Sequence, residues 1–186
     1  LPEHQTHVIG TLSHVDRLID DIGQMLAEYL RPPGPFTLDN VLDGDQANVI
    51  VVATAPIPEA IPRYIADCLT QLRAALEHTL YAEVAHSLDR ELTVEEARAV
   101  EFPACTTEPK FIEWLRHRRR RELRPLGSES ELVSRIRRLQ PFQRRDPDEH
   151  PARVLAEHTN VAKHRAPAVA MTRLGAVVPT VEHPDL

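Results

Sequence analysis

The chain has 186 residues, of which 42% are hydrophobic, 27% charged and 4% aromatic, and its formal net charge is −6. This composition is typical of a water-soluble globular domain, and no apolar run approaches the roughly 20 residues that a bilayer-spanning helix needs. With no signal-peptide pattern at the start and only two cysteines, Cys68 and Cys105, the sequence excludes a disulfide scaffold and predicts a cytoplasmic protein without membrane association.

The first half of the chain alternates two helical patterns with one β pattern. Over residues 3–30, apolar side chains recur every three or four positions, which predicts a long amphipathic helix ended by Pro32 and Pro33. Residues 36–58 contain a turn and a β-branched run, so a short strand or hairpin is expected there. A second long helix follows over residues 59–88, with an apolar stripe of helical spacing.

Shorter helices are predicted in the second half. Thr93 to Glu96 has the spacing of a capping box, which opens a short helix. Residues 109–123 and 129–139 form two further helical patterns, separated by a Pro-Leu-Gly-Ser segment. Pro151 suits the first position of a last helix, which is expected to end by Arg165.

Together these patterns predict a mainly α fold in a single domain, residues 1–186. We expect a helical bundle with two long antiparallel helices and a third, C-terminal helix packed against them. The predicted parts are the bundle over residues 1–165, a short β insertion near 36–56 and a terminal β-hairpin over 166–186.

The charges are distributed unevenly along the chain. Residues 1–60 carry nine acidic and two basic side chains, whereas residues 110–145 carry twelve basic and four acidic ones. Such asymmetry indicates either a surface that faces a polyanion or two halves that attract each other. The densest basic run, from Arg116 to Arg121, is accordingly either a solvated helix face or a patch that binds nucleic-acid phosphates.

Metal and cofactor motifs are absent from the sequence. A di-iron bundle needs two Glu-x-x-His pairs, and only Glu83 with His86 has that spacing. Neither a His-Glu-x-x-His pattern nor a phosphate-binding glycine loop occurs. We predict no metal and no cofactor.

The second long helix contains Leu72-Arg73-Ala-Ala-Leu-Glu77-His78. This Arg-x4-His spacing resembles the motif of HEPN (higher eukaryote and prokaryote nucleotide-binding) domains. With the later Asn160-Val-Ala-Lys163-His164-Arg165, it also resembles uncharacterised bacterial helical proteins over residues 61–170. The resemblance implies an all-helical fold, RNA binding or metal-independent RNA cleavage, homodimer formation and a defence or toxin system.

The same resemblance suggests roles for the residues of these two motifs. Histidine would transfer a proton at the ribose 2′-hydroxyl or the leaving oxygen, while arginine would stabilise the charge on phosphorus. The expected catalytic residues are His78, Arg73, His164 and Asn160, and the expected orienting residues are Asp67 and Glu157. The second motif adds Arg165 to the arginines of the basic run as a residue expected to contact RNA phosphates. The full expected set is Arg116, Arg118, Arg119, Arg120, Arg121 and Arg165.

Helix geometry adds one expectation that does not depend on the resemblance. At about 100° per residue, Asp67 and His78 fall on one flank of the apolar stripe, and Arg73 falls on the other. A polar stripe also borders the apolar edge of the last helix, so we predict that residues 67–78 face residues 153–165. The sequence leaves open whether the protein is an enzyme, and the alternative is a non-catalytic helical interaction or scaffold protein.

Overall fold

The computed structural model describes residues 2–44 and 46–164. This described part is mainly helical with one small two-stranded antiparallel sheet, as predicted for the fold class. The expected terminal hairpin over residues 166–186 lies outside the described residues. Within the described part, no helix is both long enough and apolar enough to cross a membrane.

The first long helix, α1, spans Thr6–Tyr29 and follows a short 3-10 turn at Glu3–Gln5. Its apolar positions recur at helical spacing, and Val8, Val15 and Leu18 are buried. The helix ends at Leu30, since the two prolines that follow supply no backbone N–H to continue it.

The second long helix, α2, spans Ala60–Leu88. Asp89 ends it in the left-handed conformation, with φ at 51°, and its amide donates to the carbonyl oxygen of His86. Both long helices therefore have the predicted boundaries to within about three residues.

The two long helices pack against each other. Val15 and Leu18 of α1 form a small apolar cluster with Cys68 of α2. His4, just before α1, hydrogen-bonds to Glu83 near the end of α2 at 2.9 Å. The 3-10 turn before α1 thus contacts the end of α2, while the middle of α1 contacts the first half of α2.

Between these helices lies a β-hairpin. Strand β1 spans Phe36–Asp43 and pairs with strand β2, Gln46–Thr54, in the antiparallel sense. Gly44 takes φ of +63° in the connecting turn, where glycine meets no steric penalty. Every residue of β2 is exposed to solvent, so the hairpin stands away from the helices.

The remaining helices are short, except for the last. They are α3 (Val94–Ala97), α4 (Glu108–Arg116), α5 (Arg118–Arg121), α6 (Glu131–Arg138) and α7 (Pro151–His164). The predicted capping box is confirmed, because Thr93 accepts from the Glu96 amide and Glu96 accepts from the Thr93 amide. Pro151 is the first residue of α7, as predicted.

The prediction of one helix over residues 109–123 is wrong. His117 has ψ of 126°, an extended conformation that interrupts the helix and separates α4 from α5. The predicted helix over residues 129–139 is shorter than expected, since Ser130 caps α6 by accepting from the Val133 amide at 3.1 Å.

The main apolar core lies where the second half of α2 meets the short helices. The fully buried Phe111, Leu123 and Leu126 form its centre together with Val84. Gln140 is also fully buried, and its side chain accepts from the Cys105 amide and donates to the Ile136 carbonyl. Because both ends of this amide are satisfied, it joins the extended segment around Cys105 to the end of α6 without an unpaired polar group.

Candidate functional site

The predicted contact between residues 67–78 and residues 153–165 is confirmed, because α7 packs against α2. A cavity of about 440 Å³ lies between the two helices. Its charged lining comes from Arg73 and Glu77 of α2 and from Glu101 after α3, and Asn160 of α7 supplies an amide. The flank of α2 that faces α7 is therefore the one that carries Arg73.

Arg73 is held at this cavity by several contacts. Its side chain is 13% exposed, and Nη2 donates a hydrogen bond of 2.8 Å to the carbonyl oxygen of Phe102. The same nitrogen forms an ion pair with Glu77 and lies 3.8 Å from Glu101. Its other terminal nitrogen, Nη1, is buried and has no hydrogen-bond partner among the described residues. Arg73 thus joins α2 to the extended segment at Phe102.

Glu77 forms the second half of this connection. Its Oε2 accepts from the Phe102 amide at 2.7 Å, so both polar backbone groups of Phe102 are bound, one by Arg73 and one by Glu77. Burial raises the pKa of Glu77 above its usual value, although the Phe102 amide and Arg73 act in the opposite direction. The carboxyl group is therefore partly desolvated by its position beside the core, and this disfavours its charged form.

Glu101 extends the network towards the arginine run. One of its oxygens lies 3.8 Å from Arg73 and the other lies 3.6 Å from Arg120. Two arginines and two glutamates thus alternate along this side of the molecule. Because the two positive and two negative groups are equal in number, the network has no formal net charge.

His78 lies away from the cavity, on the opposite flank of α2. Its ring is 5.6 Å from that of His7 on α1, and both side chains are exposed. The prediction that Arg73 and His78 lie on different flanks is confirmed. The expected catalytic set is therefore divided within one chain, since His78 faces α1 whereas Arg73 and Asn160 line the cavity.

The other expected catalytic and orienting residues are placed as follows. Asp67 is exposed on α2 and does not line the cavity. Glu157 forms an ion pair of 3.6 Å with Arg153, which lies one turn earlier on the same helix. His164 is the last residue of α7, and its side chain lies outside the described part, as does Arg165.

A histidine cluster connects the start of the chain to the end of α2. His4 and His86 stack with ring centroids 4.1 Å apart, and Glu83 accepts from both His4 and Gln5. These hydrogen bonds outweigh burial and lower the pKa of Glu83. The sequence shows the Glu83/His86 spacing, but the contact with His4 depends on how α1 packs. No group of three or more potential metal ligands is present among the described residues.

A second concave surface, the basic groove, lies between α4, α5 and α6 and has a volume of about 520 Å³. Arg116, Arg121 and Arg137 line it, with the hydroxyl-bearing residues Ser128 and Ser134. Arg116 and Arg121 are exposed and form no ion pair with a described residue. Arg137 is paired with Glu108, which also lines the groove. Three guanidinium groups from separate helices thus line one groove.

Arg120, which the sequence analysis expects to contact RNA, has a buried side chain. Only 8% of the residue is exposed, and it donates hydrogen bonds to the carbonyl oxygens of Ala99 and Trp114 at 2.7 and 3.1 Å. The guanidinium also lies over the Trp114 ring, 4.6 Å from its centroid. Burial lowers the pKa of Arg120. Arg118, by contrast, is exposed, and the side chain of Arg119 is not described.

The acidic residues of the first part of the chain do not form ion pairs with the basic run within the described residues. The carboxylates of residues 1–60 pair locally, Glu28 with Arg31 and Glu59 with Arg63. The basic residues between 110 and 145 pair instead with acidic residues between Glu83 and Glu122. The sequence analysis gives attraction between the two halves as one interpretation of the charge asymmetry. Among the residues that the structure describes, no ion pair between the halves supports it.

Comparison with known proteins adds no assignment, since no family model, no curated protein and no solved structure matches the chain.

Proposed function

We propose that the protein binds RNA and that the basic groove contacts the phosphate backbone. The observation that carries the proposal is that Arg116, Arg121 and Arg137 line one concave surface. Guanidinium groups present paired donors that match phosphate oxygens, and serine hydroxyls at the same groove supply further donors. Contacts of this kind are independent of base sequence.

Arg137 and Glu108 contribute to this proposal in different ways. Their ion pair holds the Arg137 guanidinium at the groove and limits its rotation. Glu108 reduces the positive charge of the groove by one, yet Arg116 and Arg121 leave it basic. The groove therefore favours a polyanion that contacts several arginines at once over a single small anion.

The HEPN resemblance implies either RNA binding or RNA cleavage. We propose that a single chain binds RNA and does not cleave it. The separation of His78 from Arg73 supports this choice, because a general acid or base must reach the atoms that the arginine stabilises. The contacts of Arg73 with Glu77 and Phe102 also occupy groups that a phosphate would need.

We further propose that α1, α2 and α7 form a three-helix bundle with α1 antiparallel to α2. The order of the contacts supports this arrangement, since His4 contacts Glu83 whereas Val15 contacts Cys68. In this arrangement the basic groove lies on the short helices, away from the long helix pair.

A scaffold function is the second candidate, and a specific observation favours it. Arg73, Glu77, Glu101 and Arg120 form a network that joins three segments of the chain and explains these charged residues without any ligand. The two candidates differ at the basic groove, because a scaffold has no requirement for exposed arginines there.

The proposal is tested by fluorescence anisotropy with a labelled single-stranded RNA of about 20 nucleotides at several salt concentrations. Affinity should fall steeply with salt for the wild type. For the Arg116→Glu/Arg121→Glu variant, the slope of log affinity against log salt should decrease by about two, because each arginine that no longer binds a phosphate reduces it by roughly one unit.

The matched control is Arg144→Glu/Arg145→Glu, which makes the same charge change at exposed positions that do not line the groove. Equal reductions in the two variants would exclude the groove as the contact surface and leave only general electrostatic attraction. Intact RNA after prolonged incubation with the wild type is expected, and cleavage that disappears in His78→Ala would overturn the non-cleaving assignment.

A further inference from the structure

The β-hairpin exposes an apolar face to solvent. In the antiparallel register, Leu38 is opposite Val51, Asn40 opposite Val49 and Leu42 opposite Ala47, so these six side chains share one face. Leu42 is 78% exposed and Leu38 59%. We call this surface the hairpin face; its residues are Leu38, Asn40, Leu42, Ala47, Val49 and Val51. It carries no charge.

The opposite face of the hairpin is more polar. Asp39 and Asn48 lie there, next to Val41 and Ile50. A two-stranded hairpin is at best marginally stable in water when nothing covers it. The alternation therefore indicates that one particular side of the hairpin, the hairpin face, is covered by another surface.

Helix α1 exposes a second apolar surface, the α1 stripe. Its residues recur at intervals of three, four and seven and are Ile9, Leu12, Ile19, Leu26 and Leu30, each at least 37% exposed. At about 100° per residue, they lie within an arc of about 100° beside the stripe that faces α2. Asp16 is the one charged residue inside that arc and sits near its edge.

The two surfaces do not cover each other within one chain, because both remain exposed. The hairpin is held at its base, where the Tyr29 hydroxyl donates to the carbonyl oxygen of Ala55 at 2.6 Å. The rest of the hairpin extends beyond that point without support from the helices.

We propose that the hairpin face of one copy of this chain packs on the α1 stripe of a second copy, and that the exchange is reciprocal about a twofold axis. The dimensions match, since eight paired residues extend about 27 Å and a 24-residue helix about 36 Å. Apolar helix stripes packed on apolar sheet faces are a general way to bury both.

The surface area buried by one hairpin–helix contact explains why we propose two such contacts in the dimer. One contact between a hairpin of that length and a helix about 10 Å wide buries on the order of 300–400 Å² on each side. Stable protein dimers bury about 800 Å² per partner, so a single contact is too small. Two symmetric contacts bury roughly 600–800 Å² per partner, which reaches the lower part of that range.

Charge favours the same arrangement. Packing through the hairpin face leaves Asp39 on the outer side, and Asp20 and Glu28 of α1 lie outside the α1 stripe. Two copies of an acidic first half can therefore approach without placing their carboxylates against each other. The proposal extends beyond RNA binding, and its test uses the protein without RNA.

The first test compares two substitutions on opposite faces of the hairpin by sedimentation velocity across protein concentration. The wild type should have twice the chain mass. Val49→Asp places a charge in the contact and should weaken the dimer by about 100-fold or more, whereas Asn48→Asp on the outer face should not. Because the hairpin lies outside the apolar core, both variants should keep the wild-type circular dichroism spectrum.

The second test identifies the surfaces that meet. Equal amounts of Val49→Cys and Ile19→Cys chains are mixed and oxidised, and a disulfide-linked heterodimer is expected. Asn48→Cys mixed with Ile19→Cys is the control and should remain unlinked. Val49→Cys linked mainly to itself would overturn the exchange in favour of stacked hairpins. A monomeric wild type at about 100-fold the concentration used for RNA binding would overturn the dimer while leaving the RNA proposal intact.

Discussion

Replacing Arg73 with alanine should lower the free energy of unfolding by about 2–4 kcal/mol. The wild-type side chain is largely buried, donates to the Phe102 carbonyl and forms an ion pair with Glu77. Alanine leaves that carbonyl without its donor and Glu77 without its cation. The loss of a hydrogen bond to a charged group is worth roughly 1.5–3 kcal/mol, and an unpaired, partly buried carboxylate adds to it.

The contacts that Glu77 keeps in the Arg73→Ala chain limit the expected loss of unfolding free energy. Its carboxylate still accepts from the Phe102 amide, and 27% of its side chain is exposed, so solvent and the backbone compensate part of the missing ion pair. For a chain of this length, about 2–4 kcal/mol corresponds to a decrease in melting temperature of roughly 5–15 °C.

Urea denaturation followed by circular dichroism measures this change directly, with His78→Ala as the matched control. His78 is exposed on the other flank of the same helix, so its removal should change stability by less than about 0.5 kcal/mol. A double-mutant cycle with Glu77→Gln should give a coupling of about 1 kcal/mol or more. An Arg73→Ala chain as stable as the wild type would refute the structural role of this side chain.

Two further predictions concern buried charges. Arg120→Ala should destabilise the chain by roughly 2–4 kcal/mol in thermal or urea unfolding, because it removes two hydrogen bonds to carbonyls and the contact with Trp114, whereas Arg118→Ala should change little. Equal effects would contradict the burial of Arg120. The raised pKa of Glu77 means that this group stabilises the folded chain below its ordinary pKa and that the contribution disappears as pH rises through the folded value. As pH rises from the ordinary glutamate pKa through the raised value of the folded chain, Glu77→Gln should therefore gain stability relative to the wild type. A constant difference across that rise would show that Glu77 is not desolvated.

Much of the fold could be predicted because its signals are local. The spacing of apolar residues located α1 and α2, the prolines after Arg31 located the end of α1, and the capping box and Pro151 located the starts of α3 and α7. The hairpin followed from a β-branched run beside a turn. The break at His117 could not be predicted in the same way, since the flanking residues favour a helix and the tertiary contacts of Arg120 compete with it.

The candidate site was less predictable because it depends on which faces meet. Helix geometry separated Arg73 from His78 correctly, but both flanks border the same apolar stripe. Which flank faces α7 is decided by packing, and the Phe102 backbone that binds Arg73 comes from a distant segment. The basic run likewise seemed uniform in sequence, whereas one of its arginines lies over Trp114 in the core.

Among the described residues, the apolar core is divided into two clusters, and this division has a consequence for local opening. Helix α1 contributes to the small cluster around Cys68, while the large cluster joins the second half of α2 to the short helices. We therefore expect the chain to open as two cooperative units that share α2. Separation of α1 from α2 exposes little of the large cluster. The amide protons of α1 should therefore exchange with solvent through this partial opening, well before those of the large cluster. A surface that covers the α1 stripe would slow that exchange along α1 while leaving the exchange of the large cluster unchanged.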